Sequence, residues 1–466
     1  MRRDYSSNFG SNARFGNFPS AAIAWKMHEE SFLKSITWLT ELKLRASWGI
    51  SGNSSIGQFR ATETFLFRGF GNNNIVYSLG ANRDYTSGTT VTSIPNPDLR
   101  WEETTQTDVG FDARLFGGKV GITFDYYNRQ NNGLLVNVPI PFSTGLGDPY
   151  NSPSIPANAA NAFNKGVELT LNYNDNIGDF KYGISGNVNY NQNQVVSLGQ
   201  VSESPIRGGG FQAVSTMTYT AAGYPIGAFW GYQVDKVASS KAEVTKLNEA
   251  AVSKTGKKDA IYQAELAPGD IIFKDLNGDG VVDEKDQGYL GSPIPKWNYG
   301  LNLNASYKAF DFMLGLQGVA GVELVNGLNY WLEGTTRPFN SNTNVLRRWK
   351  KDGDVTDMPR AGQNANGNLN LRPSDRYIQN GAYMRIRNIT LGYNVPTNLL
   401  AKTKTFSSFR IYFTAMNPFT FTKYTGYDPE VSSNGGSNSN FLFDRGIDNG
   451  QYPQARTLMV GFQVGF

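Results

Sequence analysis

The feature that most constrains this chain is an alternation of apolar and polar residues with a period of two, repeated from end to end. Successive side chains of a strand point to opposite faces. Leu458, Val460, Phe462, Val464 and Phe466 therefore share one face, and Thr457, Met459, Gly461, Gln463 and Gly465 the other. Tyr299, Leu301, Leu303, Ala305 and Tyr307 alternate with Gly300, Asn302, Asn304 and Ser306. After a tight turn at Lys308-Ala309, Phe310, Phe312, Leu314 and Leu316 alternate with Asp311, Met313, Gly315 and Gln317. The same pattern joins Val109–Leu115 to Val120–Tyr126 across Gly117-Gly118, and Val167–Tyr173 to Phe180–Tyr190 through Asp175 to Asp179. Between Met384 and Tyr393 the apolar phase slips, from Met384 and Ile386 to Ile389, Leu391 and Tyr393, which predicts a bulge.

Composition agrees. Glycine supplies 51 of the 466 residues, aromatics reach 13% and charged residues only 18%, so strand and turn formers replace the Lys, Glu and Leu of helical proteins. The absence of cysteine excludes disulfide scaffolds, zinc ribbons, iron–sulfur clusters and thiol nucleophiles. A single histidine, His28, excludes centres that need two, and no role is assigned to it. With 43 basic and 39 acidic residues the net charge of +4 is too balanced for a nucleic-acid footprint. No apolar run approaches the roughly 18–20 residues of a membrane helix. Length alone would suggest about three soluble domains.

Strand length argues otherwise. Soluble sandwiches use strands of about 5–6 residues, whereas many segments here run about 9–11, the length that crosses a bilayer when tilted. Aromatics recur at their ends (Tyr299 and Tyr307, Tyr126 and Tyr127, Phe180 and Tyr190), as in the girdles of membrane barrels. The connections supply a second test. Read from the C-terminus, they run long (417–455), short (396–405), long (319–380), very short (308–309) and long (236–296). They continue short (223–225), medium (195–215), short (175–179), long (131–162) and short (117–119). Outer-membrane barrels keep that beat, with short turns on the periplasmic edge and long loops outside. The reading is an all-β, antiparallel transmembrane outer-membrane β-barrel of about fifteen strands. A soluble β-propeller is the rival.

Several stretches also carry a family likeness. They are Arg2-Arg3-Asp4 with Arg14 to Ser20, Leu42 to Gly49, Ile94 to Thr104, Gly269-Asp270-Ile271 leading into Asp275 to Gly280, Arg347-Arg348-Trp349, Tyr383 to Tyr393, and Gly426 to Glu430. Together they make residues 1–466 resemble the C-terminal barrel portion of SusC/RagA-type TonB-dependent transporters of Bacteroidota. The resemblance implies an outer-membrane importer of oligosaccharides, or less readily peptides. It also implies a SusD-like lipoprotein partner, drive from TonB-ExbB-ExbD, and contact with outer-membrane lipids and the barrel-assembly machinery. Its signal peptide, carboxypeptidase-like domain, TonB box and plug are not visible, and fifteen strands fall short of the about 22 of plugged transporters. The expectation is a truncated or split chain that does not form a pore alone. Phe466, with Phe462 and Val464 at alternate positions, looks like the C-terminal signature read by the assembly machinery.

Asp275 to Asp286 fits D-x-N-x-D-G-x-x-D-x-x-D, the oxygen spacing of an EF-hand loop, within an expected extracellular loop 236–296. Asp275, Asn277 and Asp279 would supply side-chain oxygens to Ca²⁺, Val281 its carbonyl, Asp283 a water-mediated contact and Asp286 the closing carboxylate. Asp rather than Glu at the twelfth position shortens the reach, and the bland reading is a solvated acidic turn. Catalytic patterns fail: Glu102 and Glu103 point to opposite faces of a strand, and Gly208-Gly209-Gly210 lacks the Lys-Ser/Thr of a phosphate loop. The chain is therefore not read as an enzyme. The basic run Arg347 to Lys351 reads as a solvated external patch. Substrate contacts are expected from rings in external loops, with Tyr330, Trp331, Tyr424 and Tyr427 as candidates, against the alternative that they pack loop on loop. The second functional reading is a calcium-binding surface protein or adhesin without transport.

Overall fold

The computed structural model describes residues 1–56, 61–62, 64–68, 76–79, 84–139, 143, 154–199, 205–211, 214, 216–335, 339–362, 369–400, 405–431 and 445–466. Its frame is one sheet of eleven strands: β1 (Ser20–Lys26), β2 (Leu39–Asn53), β3 (Glu102–Leu115), β4 (Val120–Pro139), β5 (Ser154–Ile177), β6 (Phe180–Ser197), β7 (Trp297–Tyr307), β8 (Phe310–Ala320), β9 (Tyr383–Asn394), β10 (Ser408–Thr422) and β11 (Thr457–Gly465). Each strand pairs antiparallel with its sequence neighbours only, so the sheet is a continuous meander with β1 and β11 at its edges.

Register shows what the alternation is for. One row across the sheet reads Leu42, Ala113, Ile122, Leu171, Gly186, Leu301, Leu316, Ile386 and Phe419. The adjacent row reads Lys43, Asp112, Thr123, Thr170, Asn187, Gly300, Gln317, Arg385 and Thr420. The first row belongs to the lipid face, where Leu171 is 47% exposed and Phe419 54%. The second faces the lumen, and its charges pair across strands: Arg45 Nε lies 2.9 Å from Asp112, and Arg45 Nη2 donates to Asp125 at 3.0 Å.

The turns close as their sequences require. Between β3 and β4, Phe116, Gly117 and Gly118 all adopt positive φ, the left-handed backbone that glycine enters without strain. Gly178 and Lys308 do the same in the β5–β6 and β7–β8 turns. The expected bulge is present: the ladder between β9 and β10 shifts between Ile386 and Asn388.

Two expectations need correcting. The large sheet has eleven strands among the described residues, not about fifteen, because several segments are short and pair in small separate sheets: Thr218–Thr220 and Ala228–Gly231 with Gly288–Gly291, and Val234–Val237 with Ile271–Phe273. Strands of three or four residues cannot cross the roughly 30 Å of a hydrocarbon core. Gly223–Pro225 is accordingly no periplasmic turn. The Gly223 N–H donates to the Val195 carbonyl and the Val195 N–H to the Tyr224 carbonyl, which places this turn at the far end of β6. Residues 198–296 form one long connection. Removing a supposed strand pair leaves the beat intact, since β1–β2, β3–β4, β5–β6, β7–β8 and β9–β10 are joined at one edge of the sheet and β2–β3, β4–β5, β6–β7, β8–β9 and β10–β11 at the other.

A charge on the lipid face should be punished and one on the luminal face tolerated. Leu171→Arg should cost roughly 2–4 kcal/mol of folding free energy near the bilayer midplane, and its neighbour Asn172→Arg much less, measured by urea titration in lipid vesicles. Equal costs would reverse the assignment of faces.

Candidate functional site

The long-loop edge gathers the stretches that the sequence shows separately. Tyr383-Met384-Arg385-Ile386-Arg387 opens β9, and Asp428-Pro429-Glu430 lies in the β10–β11 connection. Arg385 is fully buried on the luminal side, with its guanidinium 2.6 Å from Asp428 and 2.5 Å from Glu430, and its Nε donates to Thr420. Arg387 also pairs with Glu430, which accepts from the Tyr383 hydroxyl at 2.9 Å and from Gln317 at 3.0 Å. Burial pushes the Asp428 carboxyl up, but N–H groups of Gln454 and Glu430, together with Arg385, outweigh it and hold it below its ordinary value. A buried cation is tolerable only when paired and hydrogen-bonded. Here the pairing fastens the last external loop to the barrel wall.

A second pair of stretches meets in the same layer. Gly269 has φ of +86°, and a Cβ there would lie 2.5 Å from the ring of Trp349, so only glycine admits the indole. Trp349 Nε1 donates to the Ser239 carbonyl at 3.0 Å. Asp270, 5% exposed, receives both arms of Arg360 at 2.8 and 3.0 Å. The basic run therefore packs through Trp349, while Arg347 pairs with Asp357 at the surface. A third junction joins the N-terminal stretch to 94–104. The ring centroids of Phe9 and Trp101 lie 4.6 Å apart, and the Gly10 N–H donates to the Leu99 carbonyl. Glu102 accepts from Leu135 N–H and from Asn53, a structural use of that carboxylate.

The acidic loop folds as a series of side-chain-capped turns. Asp275 accepts from the N–H groups of Gly278, Asp279 and Gly280, Asn277 from that of Asp279, and Asp279 from that of Val281. Asp286 is fully buried and accepts from Leu276, Asn277 and Asp283 N–H groups, closing the loop from its twelfth position; Asp283 itself caps Lys285. Burial acts to raise the Asp275 carboxyl, but the Gly280 and Gly278 N–H groups and Lys254, 3.5 Å away, hold it below its ordinary value. Among the described residues no group of three or more His, Cys, Asp or Glu side chains is gathered closely enough to hold an ion. The donors that the spacing provides are hard oxygens of the kind Ca²⁺ takes, two of them an amide and a backbone carbonyl.

Lys254 belongs to the helix Lys241–Thr255, which the strand pattern conceals. Its signals are local: Ser240 accepts from the Glu243 N–H as N-cap, and Gly256 ends the helix at φ +72°. The ring candidates separate sharply. Tyr330 is 5% exposed in a loop core with Phe211, Met217, Phe229, Val325, Tyr377 and Ile447, and Trp331 packs against that core. Tyr424 is buried and donates to Asp448 at 2.6 Å, with burial driving its pKa upward. Tyr427 alone of the four presents its ring to solvent, at 66% exposure. On β11, Phe462 and Val464 pair with Ile411 and Phe409, and Phe466 lies against Phe406 with ring centroids 5.6 Å apart.

A meander with a polar lumen, short turns on one edge and welded loops on the other defines the wall of a large outer-membrane β-barrel. A family model described as TonB dependent receptor-like, beta-barrel matches residues 1–417, and the chain belongs to that family. TonB-dependent receptor P3 of Formosa agariphila is 32% identical over 468 residues, covering all of this chain and 43% of that protein. TonB-dependent receptor SusC of Bacteroides thetaiotaomicron is 29% identical over 475 residues, covering 42% of that protein. The solved RagAB peptide transporter has the same fold, with a TM-score of 0.78 at 23% identity over all of this chain and 45% of that one. The chain thus spans less than half the length of these relatives, and what it spans is outer-membrane β-barrel of the TonB-dependent receptor family.

Arg385→Met should leave two carboxylates without their buried cation, at a cost of about 3–5 kcal/mol, and free the 423–456 loop to limited proteolysis. The pH dependence follows from Asp428. Its folded pKa is lowered, so its contribution is complete above the ordinary carboxylate value and is lost as pH falls through the folded one. Protease sensitivity should rise in acid, and Asp428→Asn should show the loosened loop already at neutral pH.

Proposed function

We propose that this chain forms the barrel wall and outer loops of an importer that carries nutrient oligomers, glycans before peptides, across the outer membrane. A SusD-like lipoprotein would cover the long-loop edge and TonB-ExbB-ExbD would supply the energy. The observation that carries this reading is the row one residue from the lipid-facing row, which runs from β2 to β10 and is polar at every position but Gly300. A binding protein or adhesin without transport has no need of a continuous hydrophilic wall through the bilayer. Deleting the coding sequence in the source bacterium should abolish uptake of a labelled oligosaccharide or oligopeptide pool. Undiminished uptake of both pools would overturn the proposal.

We propose further that Asp275, Asn277, Asp279, the Val281 carbonyl, Asp283 and Asp286 take up Ca²⁺ as a structural ion. The support is the donor set and a carboxyl at Asp275 that favours its charged form. Extracellular-type sites bind at about 10⁻⁴–10⁻³ M, so millimolar Ca²⁺ should give a calorimetric signal and protect 236–296 from protease. Asp275→Ala with Asp279→Ala should lose both. Identical heats for the wild type and the double variant would dismiss the site.

A further inference from the structure

Tyr190 and Trp297, with ring centroids 4.8 Å apart, pair across the long-loop ends of β6 and β7, on the face that carries Val188 and Leu303. Directly beyond them the 198–296 connection sets out a second group of rings. Tyr224 stacks on Tyr289 at 5.5 Å with planes 27° apart and meets Trp230 edge-on at 5.2 Å. Trp230 stacks in turn on Tyr219 at 5.7 Å, and the Arg207 guanidinium lies 5.5 Å over the Tyr219 ring. A cleft of about 270 Å³ opens here, bordered by Tyr190, Gln192, Gln194, Tyr224, Tyr289 and Lys296.

Aromatic rings gathered to fill space end up buried, and the neighbouring loop core does this, with Phe229 and Tyr377 at 0% exposure. Tyr224 and Tyr289 instead keep 36% and 38% of their surface open while still stacked on each other. The turn that carries Tyr224 is fixed from behind by its two backbone bonds to Val195 and by the Ile226 N–H, which donates to Asn193 Oδ1 at 2.8 Å. The ring faces are therefore positioned before any ligand arrives, which lowers the entropy cost of binding. The lining combines ring faces, side-chain amides and one ammonium, and contains no carboxylate. A pyranose matches this set: its C–H face lies on an aromatic plane, and its equatorial hydroxyls bond amides at the edge.

We infer that this cleft is a saccharide-binding site in which pyranose units stack on Tyr224 and Tyr289 and hydrogen-bond to the amides beside them. The inference stands apart from transport, because it concerns binding at the barrel's outer rim. Two sources could supply the sugar: a soluble oligosaccharide, or the saccharide head of an outer-leaflet glycolipid, since the cleft adjoins the level of the aromatic girdle.

The test uses the full chain in detergent with two kinds of probe: neutral hexasaccharides of glucose, mannose and xylose, and the delipidated core saccharide of the source bacterium's own lipopolysaccharide. Saturation-transfer NMR should show ring C–H contacts from at least one probe, and the arm that responds identifies the source. Tyr224→Leu with Tyr289→Leu should weaken that binding by about tenfold or more, while Tyr224→Phe with Tyr289→Phe retains it. A second readout needs no loss of packing: Trp230→Phe should diminish the sugar-induced fluorescence change, leaving the part that Trp297 reports through Tyr190, while affinity stays within about twofold. Silence in both arms, undiminished binding to the leucine variant, or a fluorescence change undiminished without Trp230 would overturn the site.

Discussion

A backbone N–H or C=O group inside lipid has no water to bond, so each must be matched by a neighbouring strand. The meander meets that demand with the least chain, because every strand from β2 to β10 is flanked by the one before it and the one after. Once the backbone is committed in this way, the side chains have only two destinations, lipid or lumen. The rows through Leu171 and Thr170 show the choice made residue by residue. Ion pairs such as Arg45 with Asp112 and Asp125 are admissible only because they fall on the wet side.

Above the membrane the constraint relaxes and the architecture changes. The loops build cores of their own, one around Phe211, Phe229 and Tyr377 and another around Tyr232, Ile271 and Phe273. Buried charge does the fastening. Arg385 lies within a strand that lipid and lumen hold in place, and Asp428 and Glu430 come from a loop that has no such support. Replacing both sides together by apolar groups of similar shape would leave stability nearly unchanged, yet the direction of the loop would no longer be specified. The latch therefore sets geometry more than it adds stability.

The strands and hairpins were legible in the sequence because their information is local. A period of two fixes the face, and Gly117-Gly118 or Lys308-Ala309 fixes the turn. The bulge near Arg387 was legible for the same reason. Gly223–Pro225 misleads because a turn signal does not say which edge of the barrel it occupies. Tyr330 and Tyr424 illustrate a second limit: a ring in a polar loop looks available for ligand until the loop's own core is known. The family-like stretches were visible one at a time. That 383–387 meets 428–430, or that Gly269 makes room for Trp349, depends on contacts some 40 to 80 residues apart, which no short-range pattern encodes.

One feature of the outer loops reaches beyond their shape. The short strand Glu323–Asn326 pairs antiparallel with Ile378–Asn380 and parallel with Ile447–Asp448, where Val325 faces Ile447. The β8–β9 connection is thereby stitched to a segment that lies just before β11. The stitch cannot close until the chain has gone down through β9 and returned to the surface through β10. During synthesis and insertion, the outer face thus records whether the β9–β10 hairpin has been threaded. Any receptor that reads this surface would distinguish a wall that holds this hairpin from one that still lacks it.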